Sequence, residues 1–241
     1  MLTRSAEDCA DWAGRLEALG LEPVTLPCIA CEILDMPALK RTLTDEARKA
    51  DWLVFTSRRG VEAFAALHDA PLPAGTRIAA VGKATAAAAR ALLGRIDLSG
   101  RGGTAAALAD ELQSAIGRGA TGRRSPDRLL LVVAENAGST LEEKLERAGI
   151  SRSRVNIYRT VPKPPTRAKT ALSSLAADGI FLASPTAVTG FVNRVEIDVR
   201  PKLITIGPST TAAVRARGLD VAAEARAPGL EGLLEAMQCL S

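Results

Sequence analysis

The chain has few aromatic residues and one histidine, and both shortages limit its function. Aromatic residues make up 3% of its 241 residues, so it largely lacks the stacking surfaces with which proteins bind single-stranded nucleic acid. A Ser-His-Asp triad would have to use His68, the only histidine. The segment Asp69-Ala70-Pro71 that follows is more typical of a helix end or a surface position. We therefore expect neither a nucleic-acid partner nor a triad hydrolase.

Common cofactor motifs are also missing. The chain contains no nucleophile elbow, no Walker phosphate loop and no dinucleotide-binding glycine fingerprint. Cys28 and Cys31 have the spacing of a metal-binding pair, but no second pair and no nearby histidine accompany them. We interpret them, with Cys9 and Cys239, as plain thiols rather than as metal or redox groups. We expect no metal and no cofactor.

Long apolar runs are absent as well. No stretch approaches the roughly 18 apolar residues of a membrane span. The first nine residues include Arg4, Glu7 and Asp8, which argues against a signal peptide. We therefore expect a cytoplasmic protein with no membrane partner.

The composition is that of a globular protein with an excess of positive charge. Hydrophobic residues make up 47% of the chain, enough for one large core or two ordinary ones. The net charge is +4 and the isoelectric point is near 9.1, which favours anionic partners. Because nucleic acid is disfavoured by the lack of aromatics, an acidic small molecule is the better expectation.

The second half of the chain repeats landmarks of the first in the same order. Residues 55–64 correspond to 182–191, residues 80–85 to 205–210, and residues 17–21 to 146–150, with offsets of 125 to 129. Three ordered matches indicate a duplicated unit of about half the chain. They predict two similar domains with a cleft between them, where small ligands usually bind.

Strand-like and helix-like segments alternate along the chain. Strands are predicted at residues 1–4 and 22–26, and buried strands at residues 50–56, 76–81, 128–134, 178–183 and 202–206. An amphipathic helix is predicted at residues 6–19, ended by Gly20. This βα alternation predicts α/β domains with parallel sheets covered by helices on both faces. In such sheets, ligands bind beyond the carboxyl ends of the strands.

Hydroxyl residues follow four of these predicted strands. They are Ser57, Thr85, Ser184 and Thr210. Each could be an ordinary helix cap. Because the same hydroxyls and free amides also hold carboxylates or phosphates, their recurrence at equivalent places favours ligand binding.

Several segments together resemble uroporphyrinogen-III synthase. They are Phe55-Thr56-Ser57, Val81-Gly82 with Thr85, residues 155–161, Ser184-Pro185, residues 206–210, Arg217-Gly218-Leu219 and residues 229–233. The resemblance covers essentially the whole chain and depends on the order and spacing of these segments. The chain departs from the family's pattern at residues 134–139, where members often carry an arginine-glycine-glutamate stretch.

The resemblance implies a particular domain organisation. Two doubly wound, flavodoxin-like α/β domains are expected, joined by a two-stranded β-ladder with a cleft between the domains. Residues 1–30 and 162–241 would form the outer domain, and residues 31–161 the inner one. The chain would cross between them at residues 26–34 and 155–163.

The implied reaction belongs to the tetrapyrrole pathway that supplies haem, sirohaem and cobalamin. The enzyme, a lyase, would cyclise hydroxymethylbilane to uroporphyrinogen III, with loss of water and inversion of the last pyrrole ring. Because the bilane cyclises unaided to the uninverted isomer, the protein would act mainly by orientation. A monomer is the simplest expectation, with a transient hand-over of the bilane from the enzyme that makes it.

The resemblance also assigns roles to residues. Tyr158, the only tyrosine, would donate a proton to the departing hydroxyl, although it could equally be a packing residue. The substrate-binding residues would be Arg4, Ser57, Arg59, Lys83, Thr85, Ser184 and Thr210. The charged members, Arg4, Arg59 and Lys83, could instead be solvated surface groups. The alternative hypothesis is a non-catalytic two-domain protein that binds tetrapyrroles or other anions.

Overall fold

The computed structural model describes residues 1–119, 127–227 and 229–240. The chain divides into two compact units. One, here the split unit, combines Met1–Cys31 with Thr160–Ser241, and the other, here the continuous unit, is Glu32–Arg159.

The described α-helices alternate with strands along most of the chain. They are α1 (Ala6–Glu17), α2 (Pro37–Lys49), α3 (Arg58–Leu67), α4 (Lys83–Leu93), α5 (Ala105–Gly119), α6 (Thr140–Arg147), α7 (Pro185–Arg194), α8 (Pro208–Arg215) and α9 (Leu230–Gln238). A short 3-10 helix spans Leu172–Leu175. No helix in the described part of the chain is long and apolar enough to cross a membrane.

The strands form one large sheet and two small ones. They are β1 (Ile29–Ile33), β2 (Trp52–Phe55), β3 (Arg77–Ala80), β4 (Leu98–Ser99), β5 (Arg128–Ala134), β6 (Ser151–Pro162), β7 (Thr170–Ala171), β8 (Ile180–Leu182), β9 (Val195–Glu196), β10 (Leu203–Thr205) and β11 (Ala223–Glu224). The sheet orders are β1-β6-β5-β2-β3-β4, β11-β10-β8 and β7-β9.

The continuous unit contains a doubly wound parallel sheet. Strand β2 pairs in parallel with β3 on one side and with β5 on the other. The chain therefore places β3 and β4 on one side of β2 and then crosses back to place β5 on the other side. On one face, Val54 and Leu131 pack against Leu108 of α5 and Leu145 of α6. The alternate residue Phe55 is also fully buried. Both faces are therefore covered, as the continuous apolar strands predict.

The split unit has the same strand order. Its parallel strands β11, β10 and β8 are extended by Leu2, which bridges to both Phe181 and Thr25. On one side of β8 lie β10 and then β11, as β3 and then β4 lie beside β2. On the other side of β8 lie Leu2 and then Thr25, in the places that β5 and then β6 have beside β2. The duplication seen in the sequence is thus a duplication of topology.

Two predicted strands are wrong in extent. Residues 1–4 and 22–26 form isolated bridges at Leu2 and Thr25 rather than strands. Pro23 within the second segment and Pro27 directly after it cannot donate hydrogen bonds to a ladder. The amide of Leu26 still donates to the carbonyl of Leu2 at 2.9 Å, so the segment contributes only a minimal strand.

The other predicted strands are confirmed, with ends one or two residues shorter except at β5, which matches fully. Helix α1 ends at Glu17, two residues before the predicted end. Gly20 follows with φ +75°, in the left-handed region that glycine adopts without strain. Its predicted role in ending the helix is confirmed.

The chain passes between the units within two paired strands. Strands β1 and β6 are neighbours in the large sheet, and the boundaries between the units fall inside both strands. In the split unit the amide of Lys163 donates to the carbonyl of Cys28 at 2.8 Å, and in the continuous unit the amide of Leu34 donates to the carbonyl of Ile157 at 2.9 Å.

Candidate active site

The carboxyl edge of each sheet is the edge at which its parallel strands end. In the continuous unit β2 ends at Phe55, and Ser57 caps helix α3 by accepting a hydrogen bond from the amide of Gly60 at 3.0 Å. A Cβ atom on Gly60 would stand 3.1 Å from the carbonyl oxygen of Val132. Glycine therefore allows α3 to begin close against β5, which fixes the position of Ser57.

Tyr158 reaches the same edge from strand β6. A β-bulge places Tyr158, rather than Ile157, opposite Ala134 of β5. The amide of Glu135 donates to the carbonyl of Tyr158 at 2.7 Å. The phenol oxygen lies 2.7 Å from the hydroxyl oxygen of Ser57, and only 7% of Tyr158 is exposed. The bulge and the loop after β5 together hold the phenol against Ser57.

This pair of hydroxyls can deliver a proton. Because Ser57 already accepts from Gly60, its own O–H can donate to the phenol oxygen of Tyr158. In that arrangement the phenol proton is directed away from Ser57. Hydrogen bonding to the phenol oxygen also stabilises the phenolate that forms when the proton leaves.

Helix α4 begins beside α3, because β2 and β3 are neighbouring parallel strands. Its N-cap is Gly82, which has no side chain to satisfy the free amides of the first turn. Lys83 is exposed at the first helical position, and Thr85 is 5% exposed in the same turn. Free amides with a nearby cation suit a carboxylate.

The split unit repeats this arrangement. Ser184 caps α7 by accepting from the amide of Ala187 at 3.1 Å. Helix α8 begins at Gly207, which again provides no side-chain cap. Thr210 in its first turn is fully buried, and its hydroxyl has no hydrogen-bond partner among the described residues. The next residue, Thr211, is hydrogen-bonded to both Thr205 and Glu224.

Both predicted arginines have acidic neighbours. The guanidinium of Arg4 is 3.3 Å from the carboxylate of Asp8 and lies over the ring of Trp12. Arg59 is 3.0 Å from the carboxylate of Glu62 in the same turn of α3. The predicted residues thus fall into two groups: Ser57, Arg59, Lys83, Thr85 and Tyr158 in the continuous unit, and Arg4, Ser184 and Thr210 in the split unit.

Sequence reasoning missed Arg154. This residue lies on β6 and donates hydrogen bonds to the loop after β5. Arg152, Arg154 and Asn156 alternate along the chain immediately before and into the predicted crossing at residues 155–163, and this alternation is a sequence signal for it.

His68 and the buried cysteines take no part in this edge. The imidazole of His68 stacks on Phe64 with the ring centres 4.7 Å apart, and burial lowers its pKa. Burial raises the pKa of Cys9 to about 11 and that of Cys28 to about 12, so both thiols are neutral at pH 7. Within the described ranges no three His, Cys, Asp or Glu side chains are grouped to hold a metal ion.

Three concavities lie away from the predicted residues. One is bordered by Leu21, Asp178 and Gly179, a second by Ser173 and Lys202, and a third by His68 and Leu92. None of the three includes a predicted site residue. The third borders the carboxyl-terminal ends of α3 and α4. The carboxyl edges of the sheets, where the starts of α3, α4, α7 and α8 lie, are therefore better suited to an anionic ligand.

Comparison with known proteins identifies a family and a fold. The family model described as uroporphyrinogen-III synthase HemD matches residues 10–235. A uroporphyrinogen-III synthetase structure from Helicobacter pylori is 18% identical and superimposes with a TM-score of 0.60, over 92% of this chain and 93% of that one. A mutant uroporphyrinogen III synthase structure from the extremely thermophilic bacterium Thermus thermophilus is 19% identical, with a TM-score of 0.54, over 99% and 97% of the two chains. At these identities the structures support the fold.

Proposed function

Because the chain belongs to the uroporphyrinogen-III synthase family, we propose that Tyr158 is the proton donor of its reaction and that Ser57 assists it. As a member of that family the protein is a lyase that cyclises hydroxymethylbilane, with loss of water and inversion of the last pyrrole ring. The 2.7 Å contact between the two hydroxyls is the observation that supports the proposal.

Tyr158 acts on the leaving group. The pyrrole nitrogen supplies the electrons that break the bond between carbon and the hydroxyl group, and the phenol proton of Tyr158 leaves with that hydroxyl as water. The ring carbon that forms the new bond later loses a proton, so no net proton is consumed. Ser57 donates to the phenol oxygen and stabilises the transient phenolate.

The other residues hold carboxylates of the substrate. In the continuous unit, Lys83 and Arg59 supply positive charge, and Thr85 adds a hydroxyl beside the uncapped first turn of α4. In the split unit, Ser184, Arg4 and the uncapped start of α8 with Thr210 have the corresponding task. Holding several carboxylates fixes the shape of the bilane, which is catalysis by orientation.

The proposal also covers the domains, the location, the oligomeric state and the substrate supply of the enzyme. We take the split and continuous units as the outer and inner domains. We further propose a cytoplasmic monomer that receives hydroxymethylbilane by transient hand-over from the enzyme that makes it. A hand-over would limit the time in which the free bilane cyclises to the uninverted isomer. Sedimentation of the protein alone tests whether it is a monomer. Sedimentation with that enzyme added tests the hand-over.

The product isomers test the catalytic proposal. Freshly generated hydroxymethylbilane is supplied to the wild-type protein, to Tyr158→Phe and to a protein-free control, and the products are separated by chromatography. Wild type should give mainly the type III isomer, and the variant should form it much more slowly. A Tyr158→Phe rate within twofold of wild type would rule out Tyr158 as the proton donor.

A further inference from the structure

Arg154 holds the loop that follows strand β5 in the continuous unit. Each of its three guanidinium nitrogens donates a hydrogen bond. Nε donates to the side-chain oxygen of Asn156 at 2.8 Å, and one terminal nitrogen pairs with the carboxylate of Glu142 on α6. The other terminal nitrogen donates to the carbonyls of Ala134 at 3.1 Å and Ala137 at 3.2 Å. One side chain therefore joins a strand, a loop and a helix.

The ion pair between Arg154 and Glu142 is not a fully exposed surface pair. The Arg154 side chain is 28% exposed and that of Glu142 is 14% exposed, so the contact is largely removed from water. The planar fork of a guanidinium has five N–H donors at fixed directions and serves acceptors on three sides at once. A lysine, with three donors, could keep the pair with Glu142 but could not also hold Asn156 and the carbonyls of Ala134 and Ala137.

The loop that Arg154 holds is bonded to the backbone of Tyr158. Glu135 lies between the two clamped carbonyls, and its amide donates to the carbonyl of Tyr158 at 2.7 Å. The register of β5 and β6 shifts at this point, opposite Ala134. A shifted register has fewer ladder bonds to define it, so the loop contributes directly to the position of Tyr158.

We propose that Arg154 is a positioning residue that holds the phenol of Tyr158 at hydrogen-bond distance from Ser57. The proposal rests on the function proposed above for Tyr158. Loss of the guanidinium should release the carbonyls of Ala134 and Ala137, weaken the bond from Glu135 and let Tyr158 move. A displacement of about 1 Å at a reacting group can cost roughly a hundredfold in rate.

The test compares Arg154→Met and Arg154→Lys with Arg152→Met as the matched control. Arg152 lies two residues earlier on the same strand and pairs with Glu146 at 2.9 Å, and among the described residues it makes no hydrogen bond to the loop. Arg154→Met should lower kcat roughly tenfold or more, with KM changed less than about twofold because binding energy is retained. Arg154→Lys should recover part of kcat, and Arg152→Met should match wild type.

A double-mutant cycle separates positioning from general damage. If Arg154 acts through Tyr158, Arg154→Met should cost much less in a Tyr158→Phe background than in wild type. Equal losses in both backgrounds would overturn the proposal, as would an unchanged kcat in the single variant. If Arg154→Met does not fold, the same cycle is run with Arg154→Lys.

A spectroscopic measurement keeps this inference separate from the catalytic role of Tyr158. Because Tyr158 is the only tyrosine, incorporated 3-fluorotyrosine gives one fluorine resonance. Arg154→Met should shift or broaden it, and amide exchange at Glu135 should accelerate, whereas Arg152→Met should change neither. A shifted resonance with a fully active Tyr158→Phe enzyme would refute only the catalytic role. An unchanged resonance would refute the positioning role.

Discussion

The phenol oxygen of Tyr158 lies 2.7 Å from the hydroxyl oxygen of Ser57, although the two residues are 101 positions apart in the chain. Strand β6 carries Tyr158, and the turn between β2 and α3 carries Ser57. The two meet because β5 lies between β2 and β6 in the sheet and because the bulge opposite Ala134 turns Tyr158 toward this edge.

Replacing the tyrosine tests the proton donor with little damage to the fold. Tyr158→Phe keeps the ring and removes one hydroxyl, so unfolding free energy should fall by only about 1 kcal/mol. The rate of type III isomer formation should fall by roughly 10²–10⁴-fold. Thr42→Ala serves as the control, because it removes a hydroxyl that bonds within helix α2 and should leave the rate unchanged.

Replacing the serine should lower both stability and rate. Ser57→Ala removes a helix cap, which costs about 1 kcal/mol, and also removes the bond to Tyr158. Thr104→Ala is the matched control, since Thr104 accepts from the amide of Ala107 at 3.2 Å and caps α5 in the same unit. Denaturant titration should show similar destabilisation of the two variants. Only Ser57→Ala should lose activity, by roughly tenfold, and equal rates for the two would contradict the assisting role.

Replacing Thr210 should raise stability while weakening substrate binding. Its buried hydroxyl has no partner among the described residues, so the isosteric change Thr210→Val should raise the unfolding free energy by about 1 kcal/mol or more. If the hydroxyl holds a substrate carboxylate, KM should rise roughly tenfold. Thr211→Val should instead destabilise the protein, because Thr211 bonds to Thr205 and Glu224. A destabilised Thr210→Val protein with wild-type KM would contradict the assignment.

His68 should make stability depend on pH without affecting the reaction. Burial lowers its pKa below the ordinary value of 6.5, Arg48 adds to this, and Asp69 opposes it. Above pH 6.5 both states are neutral and the stability is complete. As the pH falls below 6.5 the unfolded state takes up the proton first, so stability declines, by at most about 1.4 kcal/mol per pH unit. Chemical denaturation between pH 5 and 8 should show that His68→Phe removes this part of the slope while kcat at pH 7.5 stays unchanged.

Glycine positions in the split unit should respond in opposite directions to alanine. A Cβ atom on Gly190 would stand 1.8 Å from the carbonyl oxygen of Cys28, so Gly190→Ala should cost about 3 kcal/mol or more by overpacking. At Gly14 in α1 nothing lies within 4 Å of a Cβ atom. Gly14→Ala should therefore raise stability by about 0.5–1 kcal/mol. Thermal denaturation of both variants decides the matter, and similar melting temperatures would show that α7 can move away from Cys28.

Most of the secondary structure could be predicted because its signals are local. The apolar run of β5 and the Gly20 helix end are examples. The segments around Leu2 and Thr25 were predicted too long, since their apolar patterns resemble strands but the prolines at 23 and 27 restrict pairing. The hydroxyl residues at strand ends were visible because duplication repeated them in order.

The contacts among these residues could not be predicted from the sequence. The Ser57 pattern indicated a helix cap, and its contact with Tyr158 depends on strand order and on a bulge that no local signal marks. The sequence around Arg154 did not indicate its partners, which include carbonyls 17 and 20 positions away. The cap of Ser184 was local, whereas the unpartnered hydroxyl of Thr210 became evident only from its burial.

The sequence by itself determined the α/β class, the duplication, the resemblance to a family and the positions of hydroxyls at helix starts. These features follow from periodicity and residue type, which act over a few neighbouring residues. Only the tertiary structure decided which of those residues meet. The neighbours of Tyr158 depend on the order β6-β5-β2 and on a one-residue shift in register, and a sheet brings together side chains according to strand order, not distance along the chain.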